Sequence, residues 1–178
     1  VTNQGVPAGQ PAGVGNVLST ARLVLREVPF AEIAAILDGR PVLGANWAEG
    51  YPFEGTIGGA TLASRMVETG TYRPGFGIYQ IMLCDAARVV GDIGFHSAPD
   101  GNGSVALGYG LVEAYRGKGI ATEATQALVV WALRQPGVLE VCAETEVANA
   151  ASQRVLVKSG FREVGSDGKT RRFVRHCA

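Results

Sequence analysis

Hydrophobic and polar positions first alternate at Arg22-Leu23-Val24-Leu25-Arg26. There Leu23 and Leu25 fall on one side and Arg22 and Arg26 on the other, the period of a strand. Pro29 can open a helix because its fixed φ suits the first turn, where its missing N–H costs nothing. Ile33, Ile36 and Leu37 then share a helix face, and Gly39 closes it. Residues 40–57 show no period and are predicted to be irregular; Trp47, Tyr51 and Phe53 lie there among Gly and Pro. A second helix is predicted over about Gly59 to Glu68, ending at Gly70. Strands follow at Gly77–Leu83 and Arg88–Phe95 around a turn at Asp85-Ala86-Ala87. Asp100-Gly101-Asn102-Gly103 is a hairpin signal, so Val105–Leu111 should run antiparallel to the strand before it.

Further on the period lengthens. From Gly117 to about Arg134, Ile120, Ala124, Leu128 and Trp131 recur at helical spacing, until Gln135-Pro136-Gly137 ends the pattern. A strand at Val138–Thr145, a helix at Asn149–Lys158 stopped by Gly160, and short strands at Phe161–Val164 and Arg172–His176 complete the chain. The elements predict a mixed α/β domain, antiparallel in its N-terminal part, with a strand–helix–strand unit at its centre.

The chain's 178 residues suit one domain that buries roughly 70% of its unfolded surface. The first 16 residues hold four Gly and two Pro without periodicity, so residues 1–18 are expected to be a flexible tail and 19–178 the domain. An apolar fraction of 47% argues against disorder. Sixteen basic residues balance sixteen acidic ones, against the excess expected of a dedicated nucleic-acid binder. No apolar run is long enough to predict a membrane helix. Cys84, Cys142 and Cys177 are far apart and only His96 and His176 could join them, which argues against a metal site. The odd cysteine count and the absence of a basic start followed by a long apolar run point to the cytoplasm.

The segment with chemistry in it is Tyr115-Arg116-Gly117-Lys118-Gly119-Ile120-Ala121, which follows a strand and opens the long helix. The unpaired N–H groups of a helix start bind anions, and small residues let a phosphate approach the backbone. Arg116 and Lys118 add positive charge. No P-loop pattern is present. Gly117 and Gly119 begin a dinucleotide fingerprint, with Thr122 in place of the third glycine and Glu144 as a ribose-binding acid. Five residues nevertheless separate strand from glycines, and too little chain follows to complete a doubly wound sheet.

Arg116-x-x-Gly119-x-Ala121 resembles the R/Q-x-x-G-x-G/A loop of the GNAT acyl-CoA-dependent N-acyltransferases. Three further segments are similar to the branch that acetylates protein N-termini, the ribosomal-protein-alanine N-acetyltransferase (RimJ/RimL-like) type. They are Thr20-x-Arg22-Leu23-x-Leu25-Arg26, Leu107-Gly108-Tyr109 running into the loop and on to Glu123-Ala124, and Asn149-x-x-Ser152-x-Arg154-Val155-Leu156-x-Lys158-x-Gly160-Phe161. The resemblance covers about residues 20–164. It implies the GNAT fold, a mixed and mostly antiparallel sheet with splayed central strands flanked by helices, and acetyl-CoA as donor.

The resemblance also implies roles. Leu111 would offer a backbone contact to the pantetheine arm, and the N–H groups of Arg116, Gly117, Lys118, Gly119, Ile120 and Ala121 would hold the pyrophosphate. Asn149 would hydrogen-bond the pantetheine and Ser152 would lie near the thioester sulfur; Arg154 or Lys158 would meet the ribose phosphate or be solvated. Many relatives place a tyrosine acid where this chain has Leu156, which makes Ser152 the first choice of acid. A glutamate that often precedes Leu107-Gly108-Tyr109 in relatives is replaced by Ala106. Asp92 and His96, four apart on one strand, are then the leading candidates for the base, with Glu113 and Glu144 behind them.

Trp47, Tyr51 and Phe53, with Glu49 and Glu54, either wall a pocket for a cationic amine or cap the core. The acceptor expected is a protein N-terminus or a small amine; the opposed reading is an acyl-CoA-binding module without turnover. A larger acyl donor and a homodimer are both compatible with the resemblance.

Overall fold

A computed structural model describes residues 15–41 and 45–177. Residues 1–14 of the expected tail, and residues 42–44, lie outside the described residues. The elements are β1 (Val17–Ser19), β2 (Leu23–Glu27), α1 (Phe30–Leu37), β3 (Asn46–Trp47), α2 (Glu54–Glu68), β4 (Ile78–Leu83), β5 (Arg88–Phe95) and β6 (Ser104–Leu111). A 3-10 turn at Glu113–Tyr115 leads to α3 (Ile120–Ala132), β7 (Glu140–Glu146), α4 (Ala150–Lys158), β8 (Arg162–Ser166) and β9 (Thr170–His176).

One sheet runs in the order β1-β2-β4-β5-β6-β7-β9-β8, with β3 added beside β5. All pairings along that path are antiparallel except β6–β7, which is parallel, and β3 is also parallel to β5. The predicted hairpin is present: β5 pairs β6 from Gly91↔Leu111 to Phe95↔Leu107. This mostly antiparallel order is not the doubly wound sheet a dinucleotide reading requires.

The sheet opens at the parallel junction. β6 pairs with β7 only over Ser104–Ala106, and β7 then continues alone with β9 to Glu146. The His96 N–H donates to the Ala106 carbonyl and the Val112 N–H to Val90. Because an antiparallel ladder alternates, the backbone groups of Leu107, Tyr109 and Leu111 turn away from β5, into the opening.

The α3 helix covers one face of the sheet, burying Ile120, Ala124, Leu128 and Ala132 completely or nearly so. Trp131 packs on Phe76 at 5.3 Å between ring centroids, and Phe76 on Phe95 at the same distance. The opposite face carries α1 and α2 in a smaller cluster formed by Ile33, Ile36, Ala60, Ala63 and Ile78.

Several boundaries differ from expectation. The α2 helix begins at Glu54, within the stretch expected to be irregular. Gly55, Gly58 and Gly59 conceal its first turns in the sequence, since glycine disfavours helices. At Gly59 the helix lies close against the sheet, and an added Cβ would sit 3.1 Å from the Ile78 side chain. The α3 helix begins at Ile120 rather than Gly117, since Gly117 and Gly119 have φ of +73° and +78° and cannot belong to a right-handed helix. Finally, Val17–Ser19 pairs with β2, so regular structure starts upstream of residue 19.

Candidate active site

The opening between β6 and β7 leads into a cleft of about 570 Å³ bounded by the end of β6, the Arg116–Gly119 loop and the first turns of α3 and α4. Among the expected site residues, Leu111, Arg116, Gly117, Gly119, Ile120 and Ala121 line it on one side, and Asn149 and Ser152 on the other. Arg154 and Lys158 line it too, so three cationic side chains and no carboxylate face the cleft.

The loop leaves a row of backbone N–H groups free. The first backbone bond of α3 runs from the Glu123 N–H to the Gly119 carbonyl. That leaves the N–H groups of residues 117–122 without backbone partners among the described residues, at the positive end of the helix dipole. Gly119 ends the loop in a left-handed conformation, and a helix start needs such a residue only where the chain must turn sharply into it.

Side chains fix the loop from both ends. Arg116 Nε donates to the Leu111 carbonyl at 3.0 Å, so that carbonyl is occupied and the residue's backbone offers its N–H to the opening. Lys118 is not among the cleft-lining residues; its Nζ lies 5.3 Å from the centre of the Tyr115 ring. The carbonyl of Lys118 accepts a bond from Arg22 at 3.1 Å. Ile120 contributes only its backbone, because its side chain is buried in the core.

Across the cleft, Asn149 caps α4: its Oδ1 accepts from the Ser152 N–H at 3.0 Å, which leaves the amide NH2 free of partners among the described residues. The Ser152 hydroxyl is 2.7 Å from the Tyr109 hydroxyl, and the latter also donates to the Ser152 carbonyl at 3.2 Å. Burial pushes the Tyr109 phenol above its ordinary range, partly offset by its bond to Ser152. Tyr109 entered the sequence reading only as part of a family segment. The signal that could have singled it out is a lone tyrosine between two glycines on a strand, Gly108-Tyr109-Gly110.

The base candidates lie elsewhere. Asp92 pairs in register with Gly110 and is buried on the α2 face, where it accepts a hydrogen bond from the Thr56 hydroxyl. Desolvation raises its carboxyl from 3.8 to about 7, the Thr56 bond opposing the shift. His96 lies one residue beyond β5 and is exposed; its ring lies over Gly108, where an added Cβ would be 2.8 Å from Nε2. Neither Asp92 nor His96 is hydrogen-bonded to Ser152 or Tyr109 among the described residues. Glu113 and Glu144 are both exposed, the first in the 3-10 turn and the second on β7.

The aromatic residues stack edge-on, Trp47 to Tyr51 at 5.1 Å and Tyr51 to Phe53 at 6.1 Å. Tyr51 is buried within the main core, with Trp47 and Phe53 packed on it. The Phe53 ring covers Gly110, at which an added Cβ would be 2.5 Å away. None of the three lines the cleft.

An open mixed sheet that parts at its β6–β7 junction, with a loop of free backbone N–H groups at the mouth of the gap, is the arrangement expected of the acyltransferase class of folds. Residues 22–162 match the family described as the acetyltransferase (GNAT) domain, and the chain belongs to that family. Over 87 residues it is 38% identical to the uncharacterized N-acetyltransferase YjdG of Bacillus subtilis, a match covering 49% of this chain and 52% of YjdG. The chain thus spans about half the length of that relative. Its fold is similar to that of RimL, a ribosomal-protein alpha-N-acetyltransferase, in complex with coenzyme A, with a TM-score of 0.66 and 18% identity over 90% of this chain and 98% of RimL. It is also similar to an acetyltransferase from Agrobacterium tumefaciens, with a TM-score of 0.64 and 23% identity over 99% and 100% of the two chains. At these identities the likeness to the solved structures is one of fold.

Proposed function

We propose that the chain is an acetyl-CoA-dependent N-acetyltransferase and that the cleft is its donor site. The observation that carries this reading is the pairing, across one cleft, of a free N–H cradle with a Tyr109–Ser152 hydroxyl pair. A pyrophosphate fits the first, and a thioester at the end of an extended arm fits the second. The unpaired backbone edge at Tyr109 and Leu111 and the free amide NH2 of Asn149 suit a pantetheine arm between them. Arg154 and Lys158 stand where a ribose phosphate would find positive charge.

In this reading the loop N–H groups and the β6 edge hold the donor in place. Fixing two reactants in this way supplies up to about 7–11 kcal/mol of the barrier reduction. The acceptor nitrogen attacks the thioester carbonyl, the carbon–sulfur bond breaks, and the amine proton passes to a base. Ser152 presents its hydroxyl to the departing sulfur: the Tyr109 proton turns from the Ser152 carbonyl to Ser152 Oγ, which frees the serine proton to hydrogen-bond the sulfur. A thiol titrates near 8.5, so the leaving group needs a hydrogen bond more than a strong acid.

The acceptor we favour is a protein N-terminal α-amine. It titrates near 7.7–8.0 against about 10.4 for lysine, so it needs only a weak base. That suits a site in which no strong base adjoins the hydroxyl pair. His96, whose ring lies over Gly108, and Asp92, the strand partner of Gly110, are the proposed bases, acting directly or through water. A small amine would meet the same donor site, and an acyl-CoA-binding module without turnover would share it as well.

Thermal unfolding with acetyl-CoA, CoA, NAD and ATP in separate samples tests the donor site. A ligand at about 100 times its dissociation constant adds roughly 2.7 kcal/mol of stability. Acetyl-CoA and CoA are expected to raise Tm, and stabilisation by NAD or ATP alone would overturn the reading. Thiol release with an N-terminal peptide, a polyamine and lysine then identifies the acceptor class. Ser152→Ala is expected to lower kcat by roughly 10- to 100-fold with little change in CoA affinity. Absence of thiol release with every amine, in a protein that binds CoA, would favour the binding module.

A further inference from the structure

The carboxylate of Glu123 is an unexpected feature of a phosphate site. It belongs to the first turn of α3, directly after the N–H groups that would hold a pyrophosphate, and its charge there opposes the binding of a second anion. It is not left exposed to that anion. Thr20 Oγ1 donates to Oε1 at 2.6 Å and the Arg22 N–H donates to the same oxygen at 3.0 Å. Arg22 Nε reaches Oε2 at 2.7 Å, and Arg22 NH2 lies 2.6 Å from it. The same guanidinium sends NH1 to the Lys118 carbonyl at 3.1 Å and lies 3.4 Å from where a Cβ on Gly119 would be.

One side chain therefore holds Glu123 with one edge and the middle of the loop with another, from the bend just before β2, about a hundred positions away in sequence. Arg22 remains half exposed, with a side-chain accessibility of 53%. These bonds also hold the Glu123 carboxyl below its ordinary range, although burial pulls it the other way.

We propose that Arg22 and Glu123 form a positioning pair for the diphosphate of the donor. Glu123 serves as the fixed point that orients the guanidinium, and Arg22 cancels the carboxylate's charge while pinning the Gly117–Gly119 turn through the Lys118 carbonyl. The pair acts on donor affinity and leaves the acyl-transfer step to Ser152 and Tyr109. It rests on the reading of the cleft as a CoA site. A feature of the alternating N-terminal segment thus acquires a role: Leu23 and Leu25 enter the core while Arg22 serves the loop.

Titration calorimetry with CoA in four proteins tests the pair: wild type, Arg22→Gln, Glu123→Gln and the double variant. Arg22→Gln leaves the carboxylate uncompensated and is expected to raise Kd on the order of tenfold, growing at low salt. Glu123→Gln is expected to stay within about threefold of wild type, and the double variant to fall between it and Arg22→Gln, because it regains the charge balance but not the bond to the Lys118 carbonyl. A purely structural role predicts that the double variant is at least as weak as Arg22→Gln, which would overturn the proposal; so would an unchanged Kd in Arg22→Gln. Arg22→Lys, which keeps the charge and loses the forked contacts, is expected to fall between, and it serves if the glutamine variant does not fold. Failure of wild type to bind CoA would instead refute the donor-site reading itself.

Discussion

Asp92 is the residue whose surroundings most alter its chemistry. Its register partners on either side are Gln80 and Gly110, and Gln80 in turn receives a hydrogen bond from Arg26, so a polar row crosses an otherwise apolar sheet. Arg26 is occupied by Glu32 and Gln80, leaving Asp92 with the Thr56 hydroxyl. A buried carboxylate with one neutral partner resists ionisation, hence its rise to about 7. The folded protein therefore binds a proton there that the unfolded chain, titrating near 3.9, has already lost. Stability from this group is full below about pH 4 and is lost as pH rises towards 7. Between pH 5 and pH 8 wild type should lose about 3 kcal/mol through Asp92, a loss absent from Asp92→Asn. Thermal melts of both proteins at the two pH values check this; parallel behaviour would mean that Asp92 is ionised in the fold. The Tyr51 phenol nearby is also pushed well above its ordinary range, by burial first and by the Asp92 charge second.

At the scale of elements, β6 decides the geometry of the site. One edge pairs with β5 and the other is released from β7 after Ala106, which exposes the backbone at Tyr109. Its glycines serve close packing: Gly108 lies under the His96 ring and Gly110 under Phe53. Gly110→Ala should cost about 1–3 kcal/mol, because its Cβ would enter the Phe53 ring and overpacked cores respond on that scale. Chemical denaturation would measure it, and pairing the change with Phe53→Leu should recover part of the loss. The sequence placed β5 at its observed limits and β6 within one residue, because strict apolar patterns and a strong turn bound them. It missed β3 and the first turns of α2, because Asn46–Trp47 is too short for a period and glycine hides the helix. Trp47, Tyr51 and Phe53 could be read from sequence as a pocket wall or a core cap; in the fold they stack edge-on, with Tyr51 buried and Trp47 and Phe53 partly buried against the core.

Across the whole molecule, the cleft is framed by elements distant in sequence: β6 and the loop, α3 and α4, with the β2 end tied to α3 through Arg22 and Glu123. A ligand that bridges these elements should couple them. Hydrogen exchange with saturating CoA is expected to slow at residues 117–122 and at the start of α4 together, with the α1–α2 layer unchanged. Protection confined to one side of the cleft would argue against a bridging donor. The mixed sheet, the β6–α3–β7 crossover, the Gly-rich loop before α3 and the Asn149–Ser152 helix start were all legible in the sequence, because each is a local pattern of period, turn or cap that neighbouring residues enforce. Tyr109's hydroxyl against Ser152, Arg22 on Glu123, and the depth of Asp92 beneath α2 were not. Those contacts join positions 36 to 101 residues apart, and their geometry is set only when the strands fall into register and the helices pack upon them.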